Sequence, residues 1–150
     1  MAEWQLAQIN IGRVAAPLED PSMAEFMAAL APVNAVADAS PGFVWRLKDD
    51  SGNSTYIRVF DDPQMIINLS VWETVEALRA FTYRGHHTAV LTRRRDWFDK
   101  LDRAHLALWW TRAGSKPTAA EGLARLDHLD RHGPTEHAFT FAKLFPARGA

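Results

Sequence analysis

Cysteine is absent from the 150 residues, which excludes disulfides, thiolate metal sites and a cysteine nucleophile. No apolar run approaches the roughly 18 residues of a membrane span, so no membrane segment is expected. Charge of one sign is lacking too: 17 basic against 18 acidic side chains leave a formal charge of -1, which argues against a broad nucleic-acid or anionic-membrane footprint. The start, MAEWQLAQINIG, lacks a basic segment followed by an apolar one, so export is not expected and the cytoplasm is the default. No glycine-rich phosphate loop, GxSxG elbow or paired-carboxylate motif appears. What is present is one globular domain's worth of chain, 16.9 kDa with 47% apolar and 23% charged residues, and an aromatic load of six Trp and eight Phe. We read residues 1–150 as a single domain, with a core over 4–112 and a C-terminal helix and tail over 117–150.

Alternation over residues 4–14 predicts a strand with Gln5, Ala7, Ile9 and Ile11 on one face and Trp4, Leu6, Gln8 and Asn10 on the other. Asp20-Pro21 reads as an N-cap and N1 pair. Met23, Phe26, Met27, Leu30, Val33 and Ala37 then form the stripe of an amphipathic helix that Pro32 should kink or divide, with Asn34 near the stripe's edge. After the turn at Ser40-Pro41-Gly42, Phe43, Trp45 and Leu47 alternate with Val44, Arg46 and Lys48. Arg46 is a candidate for holding an anionic group, against a plain solvated or interfacial face. Asp49–Asn53 reverses the chain, and Thr55–Phe60 reads as a short returning strand. The run MIINLSVW over 65–72 is the strongest strand, with Asn68 and Ser70 opposite Met65, Ile67, Leu69 and Val71.

Thr74 opens a helix with Val75, Leu78 and Phe81 on one stripe, interrupted at Gly85. A second piece over 86–101 then places His87, Val90, Leu91, Arg94, Trp97, Phe98 and Leu101 on one face, with His86 beside it. Residues 104–111 form the last strong strand. Thr118 to Glu121 is a capping box opening a helix that Gly133-Pro134 stops, and the tail through Phe139, Phe141 and Phe145 should pack on the body or a partner. The pair His128 and His132 has metal-ligand spacing but no supporting motif, and no metal is expected. Arg93-Arg94-Arg95 is neutralised by Asp96, Asp99 and Asp102.

The order β-α-β-β-α-β plus a C-terminal helical extension is the ferredoxin-like α+β pattern, an antiparallel sheet in spatial order 4-1-3-2 with helices on one face. The inner pair of strands brings Asn10 and Asn68 together. The second sheet face carries large side chains and should need a partner chain.

SPGFVWRLKDD and NLSVWETVEALRAFTYRGHH resemble the antibiotic-biosynthesis-monooxygenase-like superfamily. The segments Pro17–Pro21, Gly42–Leu47 and Leu126–Thr135 resemble an uncharacterised bacterial branch of it, a domain of unknown function. The resemblance implies a dimeric α+β barrel, hence a homodimer, and a small-molecule enzyme of the cofactor-independent monooxygenase kind acting on a planar aromatic or polyketide-like substrate. It marks Asn10, Trp72 and His87 as the catalytic set, with His86 as the competing histidine; by their chemistry and placement, Asn34, Arg46, Asn68, Phe81 and His86 are the candidates around the substrate. Haem-degrading members use an Asn, a Trp and a His on the corresponding elements, so haem binding through His87 or His86 is the alternative to having no cofactor. A second alternative is a non-catalytic dimeric binding protein. On chemistry alone, an imidazole with an ordinary pKa near 6.5 takes a proton from an acidic phenol or enol, and an amide steadies an oxyanion.

Overall fold

The computed structural model describes residues 3–48, 62, 64–82 and 97–147. The turn at Asp49–Asn53, the return strand Thr55–Phe60, the Gly85 break, His86, His87, Val90, Leu91 and the arginines 93–95 lie outside the described residues. Within them the order is β1 (Trp4–Val14), α1 (Ala24–Ala39), β2 (Phe43–Arg46), β3 (Met65–Trp72), α2 (Val75–Thr82), β4 (Phe98–Asp99), β5 (Leu106–Arg112) and α3 (Ala119–His132). The sheet runs β2-β3-β1-β5, with the two-residue β4 also pairing with β1, and every pairing is antiparallel. This is the expected ferredoxin-like α+β order, and β1 sits directly against β3 with Asn10 opposite Asn68.

Four local expectations change. Pro32 does not divide α1, which runs unbroken from Ala24 to Ala39. Its ring is exposed, so the missing donor and the ring both face water rather than the packed side. Asp20 caps a short 3₁₀ turn at Pro21–Met23, accepting from Ser22 N at 2.9 Å, rather than α1 itself. In β2 a register shift between Phe43 and Trp45 breaks the simple alternation. Phe43 packs with α1 and α2, whereas Trp45 and Leu47 pack on the opposite face. The bulge is what places Arg46 beside Ser70 on the helix side. Finally, Phe98 and Asp99 are strand, paired with Val14 and Arg13, so the second helical piece does not reach Leu101.

The larger correction concerns the second sheet face. Ala7, Ile9, Ile11, Leu69, Val71, Ala107 and Trp109 lie there, and Leu126, Leu129 and Ala138 of the same chain bury them. The C-terminal helix therefore supplies the cover that the sequence left to a partner. It approaches closely because Gly122 has no side chain: a Cβ there would stand 2.8 Å from Ile9 Cδ1. Thr118 caps α3 by accepting from Glu121 N at 3.1 Å, as the capping box implies. The chain then follows the edge of β5, where Phe139 exchanges two backbone hydrogen bonds of 2.8 Å with Leu108 and packs its ring on the opposite sheet face. Truncation of Leu126, which is fully buried, is expected to cost about 2 to 5 kcal/mol. Urea unfolding of Leu126→Ala checks this, and a midpoint equal to wild type would show that α3 is not part of the core.

At the end of α3 the His128 ring packs 4.6 Å from both His132 and His137, centroid to centroid. Arg125 donates to the His137 carbonyl at 2.9 Å and to Glu121 at 3.2 Å, tying the chain after the helix back onto it. Among the described residues no group of three or more His, Cys, Asp or Glu is arranged to hold a metal ion. Burial first, then Arg125 and His128, hold the His137 imidazole below its ordinary value. The folded chain thus prefers this ring neutral. Its favourable contribution is complete above the unfolded value near 6.5 and is lost as pH falls through the lowered folded one. The melting temperature is expected to drop between about pH 7 and 5, and less steeply in His137→Gln.

Candidate functional site

The sheet face covered by α1 and α2 is apolar at both ends and polar in the middle. At one end Leu6, Trp72 and Leu108 meet Ala37, Val75 and Leu78. At the other, Val14, Leu18, Met23, Phe26 and Trp97 form a second cluster. Because α1 contributes Phe26 to one and Ala37 to the other, its middle, with the half-buried Asn34, spans the rows between them. Those rows hold Gln8 opposite Ser70 and Asn10 opposite Asn68.

These four side chains form one hydrogen-bonded cluster. Gln8 Nε2 donates to Asn68 Oδ1 at 2.6 Å and to Ser70 Oγ at 2.8 Å. Asn10 Nδ2 donates to Gln8 Oε1 at 3.1 Å and to Asn68 Oδ1 at 3.4 Å. Ser70 Oγ also accepts from the Trp72 indole at 2.9 Å. Gln8 is only 4% exposed and Ser70 6%, whereas Asn10 is half-buried and Asn68 exposed. The cluster is therefore rooted in the core and opens to solvent at its Asn10–Asn68 end. Cross-strand alternation put Asn10 and Asn68 on one face. Gln8 and Ser70 stand on the same face by the same alternation, and their amide and hydroxyl in otherwise apolar strands were the signal that marked them.

Arg46 borders this cluster from β2, beside Ser70. Its Nε and one Nη donate to Asp38 of α1 at 2.8 and 3.3 Å, and its side chain is 11% exposed. The bonds from Arg46 hold the Asp38 carboxyl below its ordinary value in spite of burial. Asn34 lies one helical turn before Asp38 on α1. Trp72 is enclosed, stacked on Phe81 at 5.3 Å and 24° and edge-on to Phe43 at 5.4 Å. With its indole N–H spent on Ser70, it braces the cluster rather than offering a face to a ligand. Of the Asn, Trp and His set that the haem alternative uses, Trp72 has no free ring face; His86 and His87 lie outside the described residues. The structure thus brings Asn10, Asn68 and Trp72 together, sets Arg46 and Asn34 at the margin, and stacks Phe81 on the Trp.

Solved structures share the fold. Protein SO0527 from Shewanella oneidensis aligns with a TM-score of 0.53 at 9% identity, over 73% of this chain and 93% of its own. A protein of Nitrosomonas europaea provisionally assigned as an antibiotic biosynthesis monooxygenase aligns with a TM-score of 0.50 at 13% identity, over 79% and 97%. A point variant of SnoaB, a cofactor-independent oxygenase from Streptomyces nogalater, has 20% identity over 77% and 97%, with a TM-score of 0.49. No curated protein matches the sequence at a significant level. The profile of one family, described as a domain of unknown function (DUF3291), matches residues 5–150, and the chain belongs to that family.

Proposed function

We propose that the chain is a small-molecule enzyme of the cofactor-independent monooxygenase kind, acting in the cytoplasm on a planar aromatic or polyketide-like substrate. The observation that carries this reading is the buried amide cluster that surfaces as Asn10 and Asn68 between two apolar clusters. Buried polar side chains cost desolvation that an apolar residue would avoid, so a row of them in an otherwise apolar sheet face marks a site where polarity is used. The provisional monooxygenase assignment of the Nitrosomonas neighbour accords with this reading.

In this proposal His87 is the base and takes a proton from an activated CH₂ or an acidic enol of the substrate. Asn68 steadies the resulting oxyanion with its N–H donor, Asn10 orients the substrate beside it, and Arg46 lies at the margin of the site. The carbanion forms a C–O bond with O₂, the peroxide regains the proton, and loss of water leaves a carbonyl. One oxygen atom enters the product and the other leaves as water, so O₂ itself is the oxidant.

The proposal includes a homodimer, docked on a surface other than the sheet face that α3 covers. Light scattering is expected to give about 34 kDa, twice the 16.9 kDa of one chain, and 16.9 kDa at micromolar concentration would sink this part. The activity is checked with an oxygen electrode and a panel of planar phenols and enols bearing an activated CH₂, without added metal or flavin. One O₂ is expected to be consumed per substrate. His87→Ala should lower kcat by about 10² to 10⁴-fold and Asn68→Ala by about 10². No uptake across the panel, or an unimpaired His87→Ala, would overturn the assignment.

A further inference from the structure

Gln8 has no role in the chemistry above, yet it is the most connected member of the cluster. Both its N–H groups donate within the cluster, to Asn68 and Ser70, and its carbonyl accepts from Asn10. An amide is polar in one direction, so this arrangement dictates how its two neighbours stand. Asn68 Oδ1 is taken up by donors from Gln8 and Asn10, which turns its Nδ2 away from the cluster. Asn10 uses its Nδ2 for Gln8 and Asn68, which leaves its Oδ1 directed outward. Neither outward atom has a partner among the described residues.

The geometry points to Gln8 as the positioning residue that sets the hydrogen-bond polarity of the site: Asn68 presents a donor and Asn10 an acceptor. The ligand class complementary to this pair is a planar ring carrying an acceptor beside a donor, such as a carbonyl next to a ring N–H or a hydroxyl. This refines the oxygenase reading and rests on its placement of the site at Asn10 and Asn68. It does not depend on any reaction taking place there. Desolvation at a half-buried site makes a mismatched pair costly, because each outward group then faces a like partner.

The test uses 2-quinolone, a neutral planar lactam, and its N-methyl derivative, which keeps the carbonyl and loses the donor. Calorimetric titration of the wild-type chain is expected to show binding of 2-quinolone with little change between pH 5 and 8. The N-methyl compound should bind about tenfold more weakly, the value of one lost hydrogen bond. Gln8→Glu supplies the decisive arm. A protonated carboxyl still donates to Asn68 and accepts from Asn10, whereas an ionised one only accepts and forces Asn68 to turn its oxygen outward. Burial raises such a carboxyl above its ordinary value near 4.3, so the variant should bind 2-quinolone about as wild type does near pH 5 and about tenfold more weakly near pH 8. Gln8→Leu, which gives neither neighbour a partner, should bind weakly at both, and far-ultraviolet circular dichroism checks that each variant is folded.

A folded Gln8→Glu variant that binds equally at both pH values would overturn the role of Gln8. Equal affinity for the two quinolones, or no binding of either, would overturn the ligand class. Polarity-dependent binding in a chain that consumes no O₂ removes the oxygenase reading and leaves this inference standing. O₂ consumption that is unmoved in the Gln8 variants removes this inference alone.

Discussion

The antiparallel register of β1 on β3 is the constraint from which the rest follows. Eight residue pairs, from Leu6 opposite Trp72 to Arg13 opposite Met65, hold it. Side chains alternate across a strand, so a slip of one residue on either strand would send Gln8 and Asn10 to one face and their partners to the other. In the observed register all four polar groups share a face and every inward one finds a partner. The apolar residues of both strands close the opposite face against α3. Each face therefore enforces the register that the other requires.

That mutual dependence explains why a polar row survives inside a small domain. An unsatisfied buried amide costs about 1 to 3 kcal/mol, while a satisfied one is close to neutral. Gln8 and Ser70 are satisfied only when β3 stands where it does and when the Trp72 indole completes Ser70. The stack of Phe81 on Trp72 and the edge contact from Phe43 hold that indole in place. The aromatic cluster thus acts on the polar one through a single N–H. Other Trp residues serve elsewhere: Trp109 and Trp45 on the α3 face, Trp97 against Phe26, and Trp110 as an anchor of the tail through the Phe145 carbonyl at 2.8 Å.

Where the sequence was legible, one physical signal dominated. The alternation in β1 and β3 placed Asn10 near Asn68, and the capping box placed the start of α3, because each depends on neighbours along the chain. The covering of the second face was not legible in that way. The stripe of Leu126 and Leu129 shows that α3 is amphipathic, and the choice between its own sheet and a partner's is made by tertiary packing. The bulge in β2 was equally hidden, since FVWR alternates normally and only pairing with β3 shows the shift that turns Arg46 to the helix side. Gln8 was read as one member of a polar face. Its centrality comes from burial, and burial belongs to the assembled helices.

The proposed ligand position follows from exposure. Trp72, placed by resemblance in a catalytic set, is 1% exposed and fully engaged, so the open end of the site is set by Asn68, the exposed member of the cluster. Charge lies to one side of it, in Arg46, whose guanidinium is held by Asp38 of α1. A ligand of the proposed site would meet the amide groups first, with the enclosed aromatic cluster behind them and the Arg46–Asp38 pair at the flank. The proposed site would select by hydrogen-bond direction and flat shape. Net charge adds little, because Arg46, the cation beside the cluster among the described residues, already has its counter-ion in Asp38 and partly exposed pairs of this kind contribute at most about 1 kcal/mol. Discrimination must then come from the amides, whose orientation is decided in the core and not at the surface.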